Sequence, residues 1–171
     1  MALTDDEFEF EAFFRKDYPN LIRHLTLLGF PRDLVPDAAQ EAMLRLLKSQ
    51  VVVSQPKAWV RRTARRIALD TCERDAKRER LSRHVAGLTP PDPARPDGVL
   101  DEQGEAAMVL ELLLGLPSRQ REIMAWHLDG YRPEEIAGFL DLKRATVDSN
   151  LRHARNRLRQ AWDVNGRGEA K

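Results

Sequence analysis

The stretch GLTPPDPARPDG at 87–98 sets the main constraint on how this chain folds. Pro90, Pro91, Pro93 and Pro96 lack an amide donor and hold φ fixed, so neither a helix nor a central strand runs through them. No apolar period crosses 85–104, and a structureless stretch of that length inside one compact domain would be anomalous. Residues 85–104 therefore read as an extended, flexible linker rich in proline, glycine and aspartate. Each side of it must bury a core of its own. The division expected is a domain at 1–84, the linker, a second domain at 105–163 and a tail at 164–171.

Helical periodicity dominates the first part. Thr4 and Glu7 have capping-box spacing, and Phe10, Phe13 and Phe14 cluster on the helix they would start. Pro19 is expected to open a second helix carrying Leu21, Ile22, Leu25 and Leu28, closed by Gly29. A third runs from about 33 or 36 to 48, with Ala39, Met43, Leu46 and Leu47 inward and Asp37, Gln40, Glu41 and Arg45 more exposed. The valines at 51–53 could form a strand, but no partner strand is visible, so 51–55 reads as a loop. A long helix starts near Pro56, with Trp59, Val60, Thr63, Ala64, Ile67, Ala68 and Thr71 inward. Arg61, Arg62, Arg65 and Arg66 then fall at its edges and outside, where they meet an anion or form ion pairs with Asp70, Glu73, Asp75 and Glu79.

The second part opens with a helix at 101–114 bearing Ala107, Leu110 and Leu114. Leu116, Pro117 and Ser118 make a turn and a cap for a helix at 119–129, whose Ile123, Met124 and Trp126 are apolar and which Gly130 ends. Residues 132–159 read as two helices joined by a tight turn at 141–144. Pro133 suits a first helical position, Glu134 and Glu135 the positive first turn. Ile136, Phe139 and Leu140 face inward, as do Val147, Leu151, Ala154 and Leu158 of the next helix. Ser149, Arg152, His153, Asn156 and Arg159 lie opposite that stripe, the layout of a DNA-recognition helix. Taken alone, the segment also fits a helical hairpin with a solvated basic face. Beyond Trp162 the tail is expected to fray. The fold class expected is all-α: two small helical domains joined by a flexible linker, the second ending in a helix-turn-helix.

A net charge of +1 argues by itself against a nucleic-acid binder. The charges are sorted, however: 5–11 is acidic, whereas 61–83 and 143–159 are basic, which points to two separate positive surfaces. The single Cys72 excludes an intramolecular disulfide and fits a reduced cytoplasm. The N-terminus has no signal-peptide pattern, and no apolar run approaches the roughly 18 residues of a membrane span, so no membrane insertion is expected. His24, His84, His127 and His153 lie far apart without metal-type partners at i+3 or i+4. With no phosphate-binding glycine loop and no nucleophile motif either, neither a metal, nor a cofactor, nor an enzymatic activity is expected.

The run LPSRQREIMAWHLDGYRPEEIAGFLDLKRATVDSNLRHARNRLR resembles the carboxy-terminal promoter-reading domain of bacterial sigma factors. The DAAQE helix at 37–41 and AWVRRTARRIALD at 58–70 resemble the core-binding and promoter-melting domain of the same family. Two such domains on a short linker resemble the extracytoplasmic-function group. The resemblance implies core RNA polymerase and promoter DNA as partners and, by analogy, an anti-sigma protein. It assigns Asp37, Gln40, Glu41 and Arg45 to polymerase docking, and Lys57, Trp59, Arg61, Arg62, Arg65 and Arg66 to the unpaired minus-ten strand. Trp59 is a candidate stacking platform there, although its place on the stripe with Thr63 and Ile67 favours a core role. Arg144, Thr146, Asp148, Ser149, Arg152, His153 and Asn156 are assigned to the minus-thirty-five duplex. Three positions depart from the family pattern: Asp148 where a basic residue is usual, Asn150 where arginine is common, and Arg66 where asparagine is common. They imply an atypical upstream element or weaker reliance on one. The expectation is a sigma factor of this group. The alternative is a helix-turn-helix regulator acting without polymerase, which would carry a dimerisation or sensing module in place of the first domain.

Overall fold

The structure, a computed structural model, describes residues 9–49, 53–86 and 105–166. These form seven helices: α1 (Phe10–Leu27), α2 (Leu34–Leu47), α3 (Pro56–Ala86), α4 (Glu105–Leu114), α5 (Ser118–Leu128), α6 (Pro133–Leu140) and α7 (Arg144–Gly166). No strand occurs among the described residues, which are all-α as expected. It divides into two compact units, one of Met1–Leu25 with Asp33–Asp92, the other of Thr26–Arg32 with Pro93–Lys171. The expected capping box at Thr4 and Glu7 and most of the valine stretch lie outside the described residues.

In the first unit α1 is one continuous helix with Pro19 inside it, not two helices meeting there. The apolar face explains the outcome. Asp17, Leu21, His24 and Leu25 are buried in unbroken helical register across the proline, whereas Pro19 itself faces solvent. A proline there gives up one backbone bond on the wet side, where helices curve and water can replace the lost partner. The helix ends where Gly29, at φ +83°, donates its N–H to the Thr26 carbonyl at 2.9 Å.

α2 packs along α3 through small side chains. Val35, Ala38, Ala39, Ala42, Met43 and Leu46 meet Ala58, Val60, Ala64 and Ala68, all nearly inaccessible to water. Alanines on both surfaces let the backbones approach closely, so the core is made of contact rather than bulk. Leu47, expected inward, is 56% exposed, because the stripe is carried by positions 35, 38, 39, 42, 43 and 46.

Arg61 is the main correction to the expected site. Its spacing from Ala58, Ala64 and Ala68 puts it on the buried stripe, and it is fully buried rather than turned outward. Its guanidinium donates to both carboxylate oxygens of Asp17 in α1, at 2.7 and 3.1 Å, and to the Lys57 carbonyl at 2.9 Å. Asp17 is itself 4% exposed. Such a pair adds little net stability over an apolar replacement but is costly to break from one side, since that strands a charge in low dielectric.

In the second unit α7 packs against α4, α5 and α6. Leu116, Ile123, Met124, Ala125, Trp126, Ile136, Ala137, Val147, Leu151 and Ala154 form its core. Ser118, expected as a cap, is the first residue of α5; Pro117 stands at the cap position, and its carbonyl accepts the Arg121 N–H at 2.9 Å. α7 also continues past Trp162 to Gly166, where fraying was expected. Extending an existing helix fixes one residue per bond gained, so a charged overhang persists without a core beneath it.

Asp17→Ala is expected to destabilise the chain by about 3–5 kcal/mol, and the apolar double replacement Asp17→Leu with Arg61→Met to recover most of that loss. Denaturant unfolding of the single and double variants measures both.

Candidate nucleic-acid interface

The helix-turn-helix is positioned from beneath by aromatic rings. Trp126 of α5 is fully buried, with Tyr131 edge-on at 5.3 Å and Phe139 at 5.0 Å, and Tyr131 and Phe139 meet at 5.1 Å and 89°. Edge-to-face geometry of this kind fixes relative orientation as well as burying area. Pro133 then starts α6, and Glu135 accepts the Arg132 backbone N–H at 2.8 Å. Arg132 has no acceptor to return that bond, so only half of a capping box can exist here. Asp141 closes α6 in the left-handed region at φ 52°, one of the few non-glycine types that tolerates it, and Leu142 donates back to the Ala137 carbonyl at 2.9 Å.

On α7, Val147, Leu151 and Ala154 are buried, and Arg144, Thr146, Asp148, Arg152, His153, Asn156 and Arg159 are exposed. Ser149 is half-buried. Asn150 turns its amide back on the Thr146 carbonyl at 2.8 Å, which takes it away from the outward face. Arg155 donates to His127 Nε2 at 3.0 Å, tying α7 to the end of α5. Arginine offers only donors, so this nitrogen of His127 acts as acceptor. Arg144 and Asp148 are not free-standing. Arg144 Nη1 lies 2.8 Å from Glu134 in α6, and its Nε 3.5 Å from Asp148.

The first unit carries two further surfaces. Along α2, Asp37 and Gln40 are exposed, Glu41 is half-buried and accepts from Arg45 Nε at 2.7 Å, and Leu44 and Leu47 stand in the same file at 39% and 56% exposure. Neither leucine was among the expected site residues. The readable signal was spacing, since 37, 40, 41, 44 and 47 continue one helical face. An apolar pair inside a polar rim is the composition of a protein-binding patch.

On α3, Arg62 and Arg66 are exposed, while Lys57, Trp59 and Arg65 are half-buried. Trp59 lines an open depression of about 530 Å³ together with Arg45, Ser49, Thr63, Arg66 and Asp70. Its ring thus belongs neither wholly to the core nor wholly to solvent. Arg61 is absent from this surface, its donors being spent on Asp17 and Lys57.

Two observations bear on chemistry. Burial, with Asp75 and Asp33 nearby, pushes the Cys72 thiol above its ordinary range, which leaves little thiolate at neutral pH. Among the described residues no group of three His, Cys, Asp or Glu could hold a metal, and no helix is long and apolar enough to cross a membrane.

Residues 106–158 match the family described as Sigma-70, region 4. The chain is also 32% identical, in an alignment 158 residues long that covers 84% of it, to a Xanthomonas campestris pv. campestris protein described as "Probable RNA polymerase sigma factor RfaY". Residues 106–158 thus correspond to a sigma-70 region 4 domain, and over most of its length the chain is similar to that sigma factor. The chain spans 39% of that relative. Among solved structures it is similar to the sigma factor RpoE of Bartonella quintana, solved in complex with the anti-sigma factor NepR, with a TM-score of 0.61 and 24% identity over 91% of this chain and 98% of that one. That likeness concerns the fold. The region 4 segment takes in α5, α6 and the exposed face of α7 through Asn156.

Because Leu47 is at the surface and Leu46 in the core, Leu47→Glu is expected to change stability by less than about 0.5 kcal/mol. Leu46→Ala is expected to cost about 2–5 kcal/mol. Parallel thermal and urea unfolding of the two variants distinguishes these outcomes.

Proposed function

We propose that this chain is a dissociable transcription initiation subunit of the cytoplasm, which brings core RNA polymerase to particular promoters and helps to open them. The observation that carries the reading is the extent of the 32% identity. At 84% of the chain it necessarily spans both units and not the helix-turn-helix alone. A regulator that binds DNA without polymerase would account for α5 to α7 but would leave the α2 face and the α3 arginines without a task.

In this reading Asp37, Gln40, Glu41 and Arg45, joined by Leu44 and Leu47, dock on polymerase. The exposed leucines supply apolar contact and the polar rim sets register. Lys57, Arg62, Arg65 and Arg66 neutralise the phosphates of the separated minus-ten strand. Trp59 offers a ring edge to a base in the depression beside Arg66. Arg61 has a different role: its pairing with Asp17 holds α3 to α1 and so places those groups. The exposed face of α7 enters the upstream duplex, where Arg152 is the best placed arginine for bidentate contact with guanine. The expected domain division serves this scheme, because two modest DNA contacts joined through polymerase gain effective concentration. A chain of net charge +1 can then still select a sequence. No chemistry is assigned to the chain itself, and an anti-sigma protein could act by covering the same surfaces.

Run-off transcription of genomic fragments by core polymerase, with and without the chain, tests the reading. Start sites that depend on the chain are expected; their complete absence would refute it. Among variants, Arg66→Ala should lower the salt dependence of single-strand binding by about 0.7 in the log–log slope, and the compensated double replacement Asp17→Leu with Arg61→Met should leave that slope unchanged. Arg152→Ala should relax upstream base preference by about 1–3 kcal/mol.

A further inference from the structure

From Arg144 to Gln160 the residues of α7 include one acidic side chain, Asp148. Its side chain is 49% exposed, on the side away from the buried Val147 and Leu151. Arg144, one turn earlier, places Nε 3.5 Å from it, and α6 holds the same guanidinium through Glu134 at 2.8 Å. Two carboxylates thus share one arginine at the start of the recognition helix. The cluster is net negative where a phosphate-binding surface would be positive, and Arg144 is not a mobile clamp for the backbone.

An exposed carboxylate facing a duplex is repelled by phosphate whatever the sequence, so its presence weakens generic binding. It can also discriminate between bases, because it only accepts. In the major groove guanine shows N7 and O6 lone pairs and thymine O4, all of which repel it. Adenine sets its amino group beside the N7 acceptor. Cytosine presents the N4 amino group with no acceptor next to it on the same base, and so gives the carboxylate a donor without a penalty. The Arg144 guanidinium, itself held by Glu134, biases Asp148 toward its side and offsets part of its charge.

We infer that Asp148, oriented by the Arg144–Glu134 pair, is a specificity-determining residue that selects cytosine at one position of the duplex element read by α7. The inference rests on α7 entering the major groove, as in the function proposed above, but it does not need polymerase.

The test is selection of random-sequence duplex DNA by the full chain at low salt, repeated with core RNA polymerase present, for the wild type, Asp148→Ala and Arg144→Gln. Wild-type selections are expected to enrich cytosine at one position roughly tenfold, and Asp148→Ala to abolish that enrichment without weakening binding to the other sequences. Arg144→Gln, which removes the group that orients Asp148, should weaken the cytosine preference without abolishing it. Helix content by circular dichroism, expected to be the same in all three proteins, confirms that the half-exposed substitutions leave the fold intact. Identical base preferences for wild type and Asp148→Ala overturn the inference, as does a failure to select any sequence in either format. Cytosine selection without chain-dependent transcripts would instead overturn the initiation reading alone, and transcripts indifferent to cytosine would overturn this inference alone.

Discussion

Narrow stripes of small side chains are what allow two highly charged helices to belong to folded cores. α3 buries Ala58, Val60, Ala64 and Ala68, and α7 buries Val147, Leu151 and Ala154. An apolar stripe only one or two residues wide brings a neighbouring backbone close, yet leaves the rest of the helix circumference in water for arginine. A broader stripe would have stabilised the core at the expense of the charged face. The same constraint explains Asp17. Arg61 falls within the stripe of α3, and a guanidinium there persists only with a bidentate partner and a carbonyl to occupy its donors.

From this follows a separation between residues that hold the surfaces in place and residues that form them. Arg61 looks, by its neighbours in sequence, like one of a group of four arginines, but it anchors α1 to α3 while Arg62 and Arg66 remain outward. In the second unit Arg155 plays a comparable part through His127, and Asn150 through the Thr146 carbonyl. The outward face of α7 is correspondingly smaller than a list of its polar residues suggests. What is left, Arg144 to Arg159 with Asp148 among the arginines, is a mixed surface suited to discrimination as much as to charge attraction.

The family relationship and the geometry inform different questions. Identity over most of the chain and the region 4 match show which sigma-factor sequences it is similar to. The geometry shows how a chain of nearly balanced charge can still present local positive surfaces, because pairs such as Arg61 with Asp17 and Arg45 with Glu41 cancel among themselves. The exposed Leu44 and Leu47 on α2 extend the polar residues quoted from the DAAQE helix into a composite patch.

Periodicity and breakers by themselves determined the all-helical class, the helix-turn-helix with its stripe from Val147 to Ala154, and the left-handed ends at Gly29 and Gly130. These are local matters: which residues recur every three or four positions, and where the backbone must take a conformation that glycine permits. Only tertiary structure decided that α1 runs straight through Pro19, that Leu47 faces out, that Arg61 faces in, and that Asp148 is tied through Arg144 to Glu134. Each of those depends on which neighbour lies across from a side chain. A carboxylate forty-four residues away, or one on the preceding helix, leaves no trace in the spacing of the residues it meets.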